Sequence, residues 1–123
     1  MSSCCAGSKT LVFACSGGSN VGQLSNEAAK QLDLEGVGSF FCAAGIGGGL
    51  AGFITKAREA DATIVIDGCD LGCVKAAFER EDVPISKYVV ITDLGIEKGH
   101  HFNLTDEQVA TVCAAAKQSC CCG

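Results

Sequence analysis

An alternation of short apolar runs and helical patterns constrains the fold of this chain more than any other feature. Apolar runs rich in β-forming residues lie at Thr10–Ala14, Val37–Cys42, Ala62–Ile66 and Tyr88–Thr92. Between them, apolar residues recur at spacings of three and four, which is typical of one buried helix face. Strands that are apolar throughout and joined by helices predict a parallel sheet covered on both faces. We therefore expect a small α/β fold, a three-layer sandwich with a mainly parallel sheet of about four strands.

Four helices are expected, one after each strand. The last is the best marked, because Thr105 and Gln108 fit a capping box, while Leu104 and Val109 fit the accompanying hydrophobic staple. Right-handed connections between the strands favour the strand order 2-1-3-4. The spacing of apolar residues predicts the inner faces of the four helices: Leu24, Ala28 and Leu32; Leu50, Phe53, Ile54 and Ala57; Val74, Ala77 and Phe78; Val109, Val112, Cys113 and Ala116.

Length and charge exclude several classes of protein. The 123 residues give room for one core, so we expect a single domain over residues 1–123 with short cysteine-rich tails at 1–8 and 119–123. With 9 basic against 14 acidic residues, the net charge is -5 and no basic run is present, which argues against nucleic acid as a partner. Residues 36–55 are uncharged, but seven glycines interrupt them, so they predict a strand, a turn and a helix start rather than a membrane span.

The 10 cysteines are far more than a chain of this length usually contains. The N-terminal residues lack the basic start and apolar core of a signal peptide, which favours a cytoplasmic location. Thiols stay reduced there unless they are catalytic or bound to metal. The cysteines therefore indicate metal or sulfur chemistry rather than structural disulfides.

Four cysteines follow predicted strands closely. Cys15 closes the first strand, Cys42 closes the second, and Cys69 follows the third within Asp67-Gly68-Cys69. Cys73 lies four residues later, in the first turn of the next helix, on the same face as the loop cysteine. Because the carboxyl ends of parallel strands meet at one edge, the four thiols are predicted to converge. Four thiolates are a standard ligand set for tetrahedral Zn²⁺, although an Fe–S cluster uses the same set.

These residues resemble the DGC-domain family, zinc-binding proteins named for the Asp-Gly-Cys tripeptide. The resemblance spans residues 9–117. It implies four metal-binding cysteines but little about a physiological role, and the cysteine-rich tails are not part of it. The matching segments are Cys15–Gln23, Cys42 with Gly45, Asp67–Cys69 continuing to Cys73, and Ile91–Lys98; the matching ligand positions are Cys15, Cys42, Cys69 and Cys73.

A thiol-transfer, sulfur-transfer or redox enzyme that uses Cys15 or Cys69 is the alternative function. The loop from Cys15 to Gly22 leads from a strand into a helix, so its amides could cradle an anion. It is similar to a phosphatase-like C-x5-R loop, but Val21 stands where the arginine would be. The sequence identifies no catalytic residue, and we expect a binding protein rather than an enzyme. A closed zinc site would be inert to thiol reagents, whereas a catalytic cysteine would react with them.

A nucleotide-binding domain is a further alternative. Gly47–Gly52 fits G-x-G-x-x-G between a predicted strand and a helix, and Asp67 lies 20 residues after Gly47. Glycines that let the second helix pack close to the sheet explain the same run without a cofactor. Asp67 and Asp70 form a carboxylate pair beside the predicted site, but Asp70 is better explained as the cap of the third helix.

Some polar and thiol groups near the site have open roles. His100 and His101 follow the fourth predicted strand near the same edge. Either could supply an imidazole ligand if one of the four cysteines does not bind the metal, but histidines in such a polar loop are more often exposed to solvent. The tails contain Cys4, Cys5 and Cys120–Cys122. These cysteines either collect soft metals or exchange disulfides, or they have no specific role. Cys113 lies on an apolar helix face and is predicted to fill the core. A metal ion is the partner that the sequence indicates; it identifies no protein partner.

Overall fold

A four-stranded sheet forms the middle layer of this protein, whose computed structural model describes residues 9–118. The strand order is β2-β1-β3-β4, and each neighbouring pair is parallel. The predicted α/β sandwich and the predicted strand order are therefore confirmed. The strands are β1 (Thr10–Ala14), β2 (Ser39–Phe40), β3 (Ala62–Asp67) and β4 (Lys87–Val90).

The two central strands, β1 and β3, are almost wholly buried, as their continuous apolar runs predict. The edge strands are shorter than predicted. β2 has two residues rather than six, although the amide of Phe41 still donates to the carbonyl of Val12 at 2.8 Å. β4 ends at Val90, because the chain then turns into a 3₁₀ helix over Ile91–Leu94.

In the described part of the chain, five α-helices cover both faces of the sheet. One face packs on α1 and α5, and the other packs on α2, α3 and α4. Among residues 9–118, no helix is long and apolar enough to cross a membrane. The helices are α1 (Asn20–Leu34), α2 (Ala43–Gly47), α3 (Ala51–Glu59), α4 (Cys73–Arg80) and α5 (Asp106–Lys117).

The predicted second helix is in fact two helices, α2 and α3. The break falls at a glycine run, where Gly49 has a φ of +72° that favours glycine. α3 keeps the predicted inner face, with Ile54 and Ala57 buried. Leu50 was wrongly assigned to that face: it is the N-cap residue and 53% exposed.

The predicted start of α5 is confirmed. Thr105 Oγ1 accepts from the amide of Gln108 at 3.1 Å, and the Gln108 side chain accepts from the amide of Thr105 at 3.2 Å. Cys113 is 3% exposed and fills the core, as predicted. Its thiol donates to the carbonyl of Ala28 at 3.5 Å, and burial raises the pKa of this thiol.

Candidate metal centre

Four thiols lie at the edge where the carboxyl ends of β1, β2 and β3 meet. Cys15 directly follows β1 and is partly buried. Cys42 is the exposed N-cap residue of α2, two residues after β2. Cys69 is partly buried and follows β3 by two residues, while Cys73 is exposed and begins α4. The parallel topology thus places all four at one edge of the sheet.

Two clefts at this edge divide the four thiols between them. The larger cleft, of about 380 Å³, is lined by Cys15, Cys42 and Cys73 and has aromatic walls that include Phe40 and Phe41. The smaller cleft, of about 180 Å³, is lined by Cys15, Cys69 and Cys73. Cys15 and Cys73 line both clefts, so the clefts adjoin at these two thiols.

The four thiols do not form a ready-made ligand cluster. Within the described part of the chain, no group of three or more His, Cys, Asp or Glu side chains is placed to hold a metal ion. Cys15 Sγ lies 3.5 Å from Ser25 Oγ, and Cys69 Sγ lies 3.5 Å from Lys98 Nζ. The donor set fits a thiophilic metal by its chemistry, but binding one ion with all four thiols requires them to move from their present positions. Of the four, Cys42 and Cys73 are exposed, while Cys15 and Cys69 are partly buried.

Asp67, the first residue of the tripeptide, holds the helix that carries Cys73. Its carboxylate is 1% exposed and accepts from the amides of Val74 at 3.0 Å and Lys75 at 3.1 Å, in the first turn of α4. The hydroxyl of Tyr88 donates to it at 2.8 Å. Burial and then this hydrogen bond raise the pKa of Tyr88. The carboxylate of Asp67 therefore caps the first-turn amides of α4, although Asp67 is not the residue at the N-cap position. This contact fixes the position of Cys73.

The prediction that Asp70 caps this helix is wrong. The N-cap residue is Gly72, which has a left-handed backbone (φ 63°) and no side chain to accept a hydrogen bond. Asp70 is exposed and lines neither cleft. Because both oxygens of Asp67 are committed to donors on α4 and β4, this arrangement gives no support to acid–base chemistry by the two carboxylates.

Gly68, the second residue of the tripeptide, allows two loops to approach each other. A Cβ atom on Gly68 would lie 2.9 Å from the amide nitrogen of Gly22 and from the carbonyl carbon of Val21. A Cβ atom on Gly22 would in turn overlap the carbonyl of Gly17. The two glycines therefore let the Cys69 loop and the Cys15 loop pack together on the start of α1.

Four of the seven amides over residues 16–22 of the Cys15 loop are bonded within the protein. The amide of Ser16 donates to Ser25 Oγ at 3.1 Å, and the amide of Gly22 donates to Ser19 Oγ at 3.0 Å. The amides of Ser19 and Asn20 also donate to carbonyls of the protein. Amides already bonded within the protein are not available to a phosphate. The loop therefore has only part of the amide set of a phosphatase-like cradle, and it lacks the arginine.

The Gly47–Gly52 run joins two helices rather than a strand and a helix. Helix α2 lies between this run and β2, contrary to the placement predicted for a dinucleotide fingerprint. The expectation that these glycines pack close to the sheet is also wrong, because a Cβ on Gly47 or Gly52 would meet no atom within 4 Å. Instead, the guanidinium of Arg80 donates to the carbonyls of Ile46, at 3.1 Å, and Gly47, at 2.9 Å, at the end of α2.

The connection between β4 and α5 brings Lys98 to the site, which the sequence analysis missed. Lys98 lines the smaller cleft. It has the only charged side chain among the described residues that line the two clefts. Its contact, Cys69, is 29 residues away in sequence, so no local pattern joins the two. His100 and His101 are exposed and line neither cleft, which fits the expectation of an exposed loop. The tail cysteines, Cys4, Cys5 and Cys120–Cys122, lie outside the described residues.

Comparison with known proteins adds the family. The DGC domain matches residues 11–116, which include all four thiols of the edge. The chain belongs to the DGC-domain family. Over 88 residues it is 38% identical to the Anaerobic and virulence modulator AnvM of Pseudomonas aeruginosa (strain PAO1), a match that covers 72% of this chain and 67% of that protein. No solved structure matches the chain. The resemblance recognised from the sequence is thus confirmed.

Proposed function

We propose that this DGC-domain protein binds a zinc ion through the thiolates of Cys15, Cys42, Cys69 and Cys73. The observation that carries the proposal is the sharing of two thiols between two adjoining clefts. Cys15 and Cys73 line both, Cys42 adds a third thiol on one side, and Cys69 adds the fourth on the other. When bound, zinc would receive a closed shell of four sulfur ligands and would stabilise the loops that carry them.

The surroundings of the thiols favour binding over catalysis. No described residue lining either cleft has a carboxylate, and the buried carboxylate nearby, Asp67, is fully used as a helix cap. Because the clefts have neither a carboxylate nor an imidazole among their described lining residues, their reactive side chains are the thiols and one lysine. The relative AnvM is described as a modulator. We therefore propose a regulatory, storage or delivery role for the metal-bound protein, in the cytoplasm.

Single substitutions of the four cysteines test the proposal. We expect Cys15→Ser, Cys42→Ser, Cys69→Ser and Cys73→Ser each to lower both zinc content and thermal stability, since each removes one of four bonds. Structural zinc contributes about 10 to 16 kcal/mol of binding free energy in zinc-finger peptides, which is large beside a domain stability of about 5 to 15 kcal/mol. Elemental analysis of the purified protein measures the metal, and thermal unfolding with and without chelator measures the stability.

Cys113→Ser is the matched control, because this thiol is buried in the core, lines neither cleft and donates to the carbonyl of Ala28. It should lower stability and leave the zinc content unchanged. If Cys42→Ser and Cys73→Ser retained full zinc while Cys15→Ser lost only a reactive thiol, the zinc proposal would fail. An intense visible absorption with bound iron would instead assign an Fe–S cluster to the same thiolates.

Thiol chemistry at Cys69 is the second candidate, and the ammonium of Lys98 at 3.5 Å from its sulfur is the observation that favours it. Cations beside a cysteine are typical of nucleophilic cysteines. The two functions differ in reactivity toward iodoacetamide at neutral pH. A closed zinc site should protect all four thiols until a chelator is added, whereas a nucleophilic Cys69 should be alkylated rapidly without chelator.

A further inference from the structure

Lys98 has a position that metal binding by thiols alone does not explain. We propose that Lys98 is an outer-shell residue of the metal site, held over Cys69 by Asn20, and that its ammonium donates to the Cys69 thiolate and offsets the negative charge of the metal-bound thiolates. The inference rests on the proposed function and adds two residues, Lys98 and Asn20, to the four cysteines.

The position of Lys98 is fixed from the first turn of α1. Asn20 is 3% exposed, and its side-chain amide donates to the carbonyl of Glu97 at 2.8 Å and accepts from the amide of Gly99 at 2.7 Å. The backbone amide of Asn20 donates to the carbonyl of Gly99 at 3.1 Å. Three hydrogen bonds from one buried residue thus hold the backbone on both sides of Lys98. The loop is held where the lysine reaches Cys69.

The charge of the proposed site gives this lysine its role. Four thiolates and one divalent cation carry a net charge of about -2, in clefts whose other described lining residues, apart from Lys98, are uncharged. Lys98 is the charged side chain among the described residues that line these clefts. A metal-bound thiolate sulfur keeps lone pairs that accept a hydrogen bond, and an ammonium has three N–H donors. Such charge-assisted contacts stabilise a partly buried negative group.

An ammonium that competes with the metal and an ammonium that supports metal binding predict opposite changes in metal affinity when Lys98 is replaced. If the ammonium merely competed with the metal for the Cys69 sulfur, removing it would strengthen metal binding. An outer-shell donor, when removed, weakens metal affinity, typically by about 10- to 100-fold. The sign of the change in affinity therefore decides between these roles.

The experiment measures zinc affinity by competition with a chromogenic chelator, in the full chain under reducing conditions. We expect Lys98→Met to bind zinc at least about 10-fold more weakly than the wild type. Lys98→Arg retains the charge and should recover part of the loss. Lys30→Met is the matched control, because Lys30 is an exposed lysine of α1 paired with Glu27, and it should bind zinc as the wild type does.

A second measurement separates this role from a structural one. Zinc-loaded Lys98→Met should be alkylated by iodoacetamide at Cys69 faster than zinc-loaded wild type, because the coordinated sulfur has lost its N–H donor. The metal-free variant should unfold like the metal-free wild type, since Lys98 is exposed. Asn20→Ala should weaken zinc binding in the wild type but have a much smaller effect in the Lys98→Met background, because both act through one contact.

The outcomes distinguish the inference from the function on which it rests. A wild-type protein that takes up no zinc overturns both. A wild type that binds zinc while Lys98→Met binds it equally or more tightly overturns the role of Lys98 alone. Equal losses in Lys98→Met and Lys30→Met would assign the effect to net charge rather than to the contact, and would also overturn it.

Discussion

Replacing Asp67 by alanine should cost this protein a large part of its stability, because this buried polar residue bonds to both α4 and β4. The substitution removes the acceptor for the amides of Val74 and Lys75 and for the hydroxyl of Tyr88, at 3.0, 3.1 and 2.8 Å. The first turn of α4 then has two free amides, and Tyr88 has a hydroxyl without its partner. Cys73, the first residue of α4, loses its anchor in the same step.

The size of the loss follows from these contacts. A lost helix cap costs about 0.5 to 2 kcal/mol, and a carboxylate beside a helix N-terminus contributes about 0.3 to 1 kcal/mol more. A buried hydroxyl left without its acceptor costs about 1 to 3 kcal/mol. Because Tyr88 is only partly buried, water replaces part of that last bond. We expect a total of about 3 kcal/mol, against a domain stability of about 5 to 15 kcal/mol.

Urea denaturation followed by circular dichroism measures this loss, with chelator and reductant present so that metal binding does not contribute. Two variants serve as controls. Tyr88→Phe keeps the helix cap and should lose about 1 kcal/mol. Asp70→Ala changes an exposed residue and should stay within about 0.5 kcal/mol of the wild type. An Asp67→Ala protein no less stable than Tyr88→Phe would refute the assignment of Asp67 as the cap of α4.

Three further predictions concern the core, the loops and the tails. The pKa of Tyr88 is raised in the folded state, so the unfolded chain loses the phenolic proton at lower pH than the folded chain does. The free energy of unfolding should therefore fall as the pH rises above about 10. Urea unfolding at several pH values should show a smaller fall for Tyr88→Phe. Gly22→Ala places a Cβ on the Gly17 carbonyl and should cost about 1 to 3 kcal/mol in urea, while Gly47→Ala meets no atom and should cost far less. Deleting residues 1–7 and 119–123 should leave the melting temperature nearly unchanged; a loss of several degrees would show that the tails contribute to folding.

The parts of the fold that local patterns determine were predictable from the sequence. The run Ala62–Ile66 is β-branched and apolar, and it forms the central strand β3 with one residue more. Thr105 and Gln108 form the predicted capping box because both partners lie within one turn. Helix α2 was missed, since Ala43–Gly47 is short and glycine-rich. Its end is held by Arg80, 33 and 34 residues away from the carbonyls that it bonds.

The candidate site was predictable only where topology alone decides it. Parallel strands place Cys15, Cys42 and Cys69 at one edge whatever the loops do. The sequence predicts Asp70 as the cap of α4 because Asp is a common residue at a helix start, whereas the structure brings the more distant Asp67 to the helix amides after a left-handed turn at Gly72. Lys98 was missed because its position depends on hydrogen bonds between its loop and Asn20, 77 and 79 residues apart in sequence.

The strand order also decides when the site can be assembled during folding. Thr10 of β1 pairs with Ala62 of β3, 52 residues later, while β2 joins only at the outer side of β1. Parallel pairing at such a separation is slow, because the entropy cost of closing the loop comes before any stabilising contact between the strands has formed. Cys69 and Cys73 follow β3 and arrive with it. Cys15 and Cys42 therefore meet Cys69 and Cys73 only after β1 and β3 have paired, so the edge that carries the four thiols is completed by this long-range step of folding.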